Sequence, residues 1–188
     1  MKPFRWVGLL LLAGSVSSCI TSPSRPGSKA AAPLLDSVEE IQQALLTWDL
    51  DELTNAAHQL SRHADEDPQA AYWQGVALFH ATIALNEAEA PPARIEAALA
   101  EAVKTLKANL ERQPEDSDSH AMLATLYGLA IQRHRIRGLQ LGPLLLHHQR
   151  QAAVDRDANP RVNYLYGVGQ LNRKRYPEAL EALLRADD

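Results

Sequence analysis

Two groups of residues in this chain carry side chains able to do chemistry. Cys19 is the only thiol, so no intrachain disulfide is open to it. Arg133, His134, Arg135 and Arg137, followed by His147 and His148, gather guanidinium and imidazole groups into one short stretch. Guanidinium groups suit carboxylates and other anions. Imidazoles suit divalent metals, but neighbouring histidines on a helix point about 100° apart and do not form the clamp that an i, i+4 pair makes. His134 meets His147 only if the intervening segment folds back. The expectation is therefore a solvated basic loop between helices and no metal, with contact to an anion or acidic partner as the other reading. His58 and His63 sit near the end of a helix, and His80 and His120 are isolated in the sequence; all four read as surface or partly buried imidazoles. No Ser-His-Asp order, phosphate-cradling glycine loop or paired carboxylates can be drawn. Catalytic residues and cofactors are accordingly not expected, and the chain reads as a non-enzyme.

The segment leading to Cys19 says more about location. Lys2 and Arg5 precede an apolar run from Trp6 to Ala13, which gives way to Gly14, Ser15, Val16, Ser17 and Ser18. A bilayer-spanning helix needs about 20 apolar residues, so this run is too short to cross and has the proportions of a cleaved signal. With the cysteine at its end, the segment resembles a bacterial lipoprotein signal over residues 1–18. It departs from the commonest form, which begins with Leu and places Gly or Ala beside the cysteine. The resemblance implies that Cys19 becomes the first mature residue and carries a diacylglycerol thioether and an amide-linked acyl chain such as palmitate. One acyl chain binds membranes only marginally, whereas two or three anchor stably. Ile20, where a retained inner-membrane lipoprotein would carry Asp, implies the outer membrane, facing the periplasm.

Composition bounds the remainder. The chain has 19 basic and 23 acidic residues for a net charge of −4, and removal of Lys2 and Arg5 with the signal makes it more acidic. Nothing in that balance attracts nucleic acid. Residues 19–35 are rich in Ser, Pro and Gly and poor in large apolar side chains. Such a stretch buries too little to offset its ordering entropy, so a flexible linker is expected.

From residue 36 onward Ala, Leu, Glu, Gln and Arg dominate and β-branched runs are few, which predicts an all-α domain over 36–188. Asp36 and Ser37 cap a helix through Thr47 with Val38, Ile41, Leu45 and Trp48 at helical spacing. After a turn at Asp49 to Asp51, Leu53, Ala57 and Leu60 line a second helix. Pro68 opens a third, Pro92 a fourth that runs toward Pro114, and further helices are predicted over 117–133, 143–156, 160–172 and 177–186.

Comparison of the helices shows related units. Pro160-Arg161-Val162-Asn163-Tyr164-Leu165-Tyr166-Gly167-Val168 echoes Pro68-Gln69-Ala70-Ala71-Tyr72-Trp73-Gln74-Gly75-Val76, and Leu123 to Tyr127 falls at the corresponding point. Tyr176-Pro177-Glu178-Ala179-Leu180 closes the last unit. These resemble the tetratricopeptide repeat, which implies about four antiparallel helix pairs stacked as an α-solenoid. The middle units are longer than the family's repeat, with the excess around Asn86 to Pro92 and Arg133 to Gly142. The resemblance also implies that first helices line a groove for a protein partner. It places Tyr72, Val76, Phe79, His80, Thr125, Tyr164, Val168 and Asn172 on that groove, with packing between neighbouring repeats as the other role for its aromatics. Such arrays usually end in a polar capping helix; its lack after Ala186 implies a partner, a second copy (a homo-oligomer) or a truncated longer array. The function this implies is a lipid-anchored periplasmic adaptor in envelope assembly, pilus biogenesis, transport or peptidoglycan work. The alternative is a small-ligand, anion or metal-binding envelope lipoprotein that uses the Arg/His segment 133–148.

Overall fold

The computed structural model describes residues 31–47 and 49–187. The signal segment, Cys19 and Trp48 lie outside the described residues. Within them the chain forms eight α-helices and no strand: α1 (Ala31–Thr47), α2 (Leu50–Ser61), α3 (Pro68–Glu87), α4 (Pro92–Arg112), α5 (Ser117–Arg133), α6 (Gly138–Ala152), α7 (Pro160–Asn172) and α8 (Tyr176–Arg185). They divide into two compact units, one ending at Ala88 and the other beginning at Glu89. Glu89 itself takes a left-handed backbone, φ 51°. Pro91 and Pro92 follow it, and Pro92 occupies the first turn of α4.

Local chemistry explains most helix starts. Asp49 accepts hydrogen bonds from the backbone N–H groups of Asp51 and Glu52 at 2.9 and 3.0 Å, and Asp67 accepts from Gln69 N–H at 2.8 Å. Asn159 does the same for Val162 at 3.2 Å. These bonds satisfy amide donors that a helix start leaves orphaned. Proline follows the cap in α3 and α7, where its missing N–H costs nothing.

In the first unit α2 packs against α1 and α3, and α1 also touches α3. Ile41, Leu53, Ala57 and Leu60 are buried, as their spacing requires, while Val38 and Leu45 are half-buried. Helix α3 is buried nearly all round, from Ala70 and Ala71 through Val76 and Phe79 to Leu85. A helix with so little exposed face belongs to an interior, not to a solvated edge.

In the second unit α5 is the central helix, packed against α4, α6 and α7, and α8 packs on α7. Met122, Leu123 and Leu126 of α5 are fully buried, as are Ala102 and Leu106 of α4. The α7–α8 crossing is close. A Cβ built on Gly167 would lie 2.8 Å from Leu183 Cγ and 3.2 Å from the Ala179 carbonyl oxygen. A small residue at Gly167 is therefore favoured by contact.

Three boundaries differ from the sequence reading. Helix α1 begins at Ala31, five residues before the Asp36–Ser37 cap, so the expected linker over 19–35 is helical at its end. The basic segment is not a loop: Arg135–Arg137 is a 3-10 turn that runs straight into α6. Pro143 then lies inside α6 instead of opening it. The Pro143 ring removes the bond to the Leu139 carbonyl, and Leu139 is so exposed that water can take that role. At its far end α6 stops at Ala152 and a 3-10 segment, Ala153–Ala158, completes the stretch predicted as helix.

Candidate functional site

The polar chemistry of the second unit gathers between α4, α5 and α6. Ser119, His120 and Tyr127 project from α5, and His147 and His148 from the facing α6. His120 and His148 are both buried, and their Nδ1 atoms lie 2.7 Å apart. The opposite nitrogen of His120, Nε2, is 2.9 Å from the Pro114 carbonyl oxygen. A carbonyl only accepts, so His120 Nε2 carries a proton and donates it. In the neutral ring His120 Nδ1 is then a lone pair, and His148 Nδ1–H must donate to it. The remaining nitrogen of His148, Nε2, is left as the lone pair of the couple. The shared Nδ1–Nδ1 bond has room for one proton only, so any further proton must enter at that Nε2.

Burial opposes that entry first, and the neighbouring imidazoles of His120 and His147 and the Lys107 ammonium oppose it further. Together they pull the His148 pKa from 6.5 down to about 4. The Tyr127 ring lies 5.7 Å from that of His148, and its buried hydroxyl has no hydrogen-bond partner. His147 is exposed and sets its ring edge-on to His148 at 5.1 Å. Among the described residues no group of three His, Cys, Asp or Glu side chains is placed to hold a metal ion.

A second cluster surrounds Glu96 on α4. Its carboxylate accepts from Arg133 Nε at 3.2 Å, from His134 Nε2 at 3.2 Å and from Arg137 Nη1 at 2.7 Å. Burial pushes the Glu96 pKa up, but the hydrogen bonds from Arg137 and Arg133 and the charges of Arg137 and His134 outweigh it and hold it below the ordinary carboxylate value. Two of the arginines read as an anion-binding loop are thus turned onto an acid of their own unit. Replacing Glu96 with Gln should destabilise the chain by about 1 kcal/mol, because the partly exposed pairs are screened. Chemical denaturation at pH 7 would read that loss, and the two proteins should converge as pH falls below the ordinary carboxylate range, where Glu96 itself is protonated.

Two more polar groups join elements. Asn109, fully buried, donates from Nδ2 to Asp116 Oδ2 at 3.0 Å and to Ser119 Oγ at 2.9 Å, fixing the end of α4 to the start of α5. Burial raises the Asp116 pKa against the opposing hydrogen bond from Ser119. Asp118 accepts from Asn159 Nδ2 at 2.7 Å and from Arg161 Nη1 at 3.2 Å, which ties the starts of α5 and α7 together.

The residues expected on a groove divide between the units. On α3, Tyr72 and His80 are half-buried, whereas Val76 and Phe79 are 0 % and 3 % exposed and offer no surface to a partner. Their side chains fall on a helix buried nearly all round, which helical spacing alone does not disclose. In the second unit Thr125, Tyr164 and Val168 are half-buried and Asn172 is exposed. Burial raises the Tyr164 phenol pKa, so it stays a neutral donor. The sequence reading treated His120 as isolated and missed its bond to His148; the two are 28 residues apart, and only the packing of α5 on α6 joins them. Glu96 was missed for the same reason, lying 41 residues from Arg137. No protein family, curated protein or solved structure matches this chain.

Proposed function

We propose that the protein is a lipid-anchored, tetratricopeptide-like adaptor of the bacterial cell envelope, without catalytic activity, that presents helix surfaces to a protein partner. One observation carries the partner-binding half of this reading. Tyr72 and Tyr164 stand at the same distance from the prolines that open α3 and α7, and both remain half-buried on helices whose neighbouring positions are largely covered. Tyrosines held this way combine a large apolar body with a polar tip and are frequent anchors of interfaces. Support for the anchoring half comes from the sequence around Cys19, and support for the repeat comes from the close crossing at Gly167 and Ala179.

Cross-linked capture from cells expressing the full chain tests the surface. Partner recovery should fall about tenfold or more for Tyr72→Ala or Tyr164→Ala. Equal recovery of one partner from the parent and both variants refutes the assignment. Cys19→Ser tests the anchor separately: it should release the protein from membranes or leave an uncut precursor, and a processed, membrane-bound form would refute lipidation.

A further inference from the structure

Helix α6 exposes the wrong face for an ordinary surface helix. It buries only His148 and Ala152 and rests Leu145 near Gly128 of α5. The side turned away from α5 should be polar. Instead it carries Leu139, 86 % exposed, with Pro143 and Leu146 behind it at spacings of four and three, and Ile136 and Val154 extend the stripe at either end, 82 % and 75 % exposed. Leu139 and His148 are half a turn out of phase, so this stripe is opposite the buried one.

The stripe's own stretch of sequence carries charges of one sign, with Asp155 directly after it. From Ser119 to Val154 the sequence has four arginines and no Asp or Glu, in a chain whose acids outnumber its bases. Arg133 and Arg137 are turned onto Glu96, which leaves Arg135 and Arg150 as the exposed cations along the stripe. The outer face of a single helix is convex. A folded partner would need a matching groove, whereas a lipid interface accepts a convex apolar ridge directly; Arg135 at one end of the ridge and Arg150, four residues on from Leu146 within it, can extend their long stems to anionic headgroups. No helix among the described residues is long and apolar enough to cross a membrane, so α6 can only lie along one.

We propose that the outward face of the Arg135–Val154 segment docks into the interfacial layer of a membrane bearing anionic phospholipid, with α6 parallel to the surface. The inference uses neither lipidation of Cys19 nor the repeat resemblance. Its test is a local probe in the full chain carrying Cys19→Ser: Leu139→Cys labelled with a nitrobenzoxadiazole dye, titrated with phosphatidylglycerol–phosphatidylcholine vesicles. Emission should brighten and shift to the blue, while the same dye at Glu111→Cys, exposed on α4, should stay in water. Adding Arg135→Glu and Arg150→Glu should raise the lipid needed for half-maximal response by about tenfold or more. Leu146→Glu should abolish the shift, and all these sites are exposed, so helical content should not change. The proposal is overturned by an unshifted Leu139 probe, by equal shifts at both dye positions, or by indifference to charge reversal. A shift without lipid that grows with protein concentration would assign the face to a second copy and overturn it equally.

Discussion

Lowering the pH from 7 to 4 should cost the folded chain about 2–3 kcal/mol through His148 alone. Its pKa is about 4 when folded and near 6.5 when the chain is unfolded. Between those values the unfolded state binds more protons, so stability is whole above about pH 6.5 and declines as pH falls toward 4. The cause is structural: the last free lone pair of the His120–His148 couple is His148 Nε2, and protonation there places a charge inside a buried cluster beside two further imidazoles and Lys107. Glu96 acts in the same direction at lower pH, its depressed pKa withdrawing stability as it protonates. Asp116 acts oppositely, since its raised pKa makes it easier to protonate in the folded chain. Urea denaturation at closely spaced pH values would show the decline. In His148→Gln, which has no titrating ring, the slope between pH 6.5 and 4 should flatten by the same 2–3 kcal/mol. A parent chain equally stable at both ends of that window would show that the two rings do not share a proton as their geometry requires.

Gly167→Val should destabilise the chain by about 2–3 kcal/mol. Overpacking of a filled contact usually costs about 1–3 kcal/mol, and here the first added atom falls 3.2 Å from a backbone oxygen of α8. The Leu183 side chain is half-buried and can swing aside. The Ala179 carbonyl cannot move without displacing α8. Gly167→Ala should cost less, because the helix gains about 1 kcal/mol of propensity when glycine leaves its interior. The ordering parent, Ala, Val in thermal or chemical denaturation checks the crossing. A valine variant as stable as the parent would mean that α7 and α8 do not approach at this point.

Much of the fold was legible because its signals act over a few residues. Pro68, Pro92 and Pro160 sit in first turns, and the capping side chains of Asp49, Asp67 and Asn159 reach only two or three positions ahead, although only the structure shows those three bonds. Leu53, Ala57 and Leu60 mark a buried stripe by period alone. The same local rules failed at Pro143, since a proline can open a helix or sit within one, and the Arg135–Arg137 turn settles which. They also failed for Val76 and Phe79, where period gives a face but not how much of the helix is covered.

The sequence by itself determined the all-α class, most helix boundaries and the net acidic balance. Only the tertiary structure decided which distant side chains meet: His120 with His148, Glu96 with Arg133 and Arg137, Asp118 with Arg161. It also decided which side of α6 is covered, because leucines occur all around that helix and no period among them selects one face. The physical reason is range. Caps, turns and helical periodicity are settled within a few residues of the chain, whereas a shared proton or an ion pair across 28 to 43 residues exists only after helix packing has closed the intervening chain.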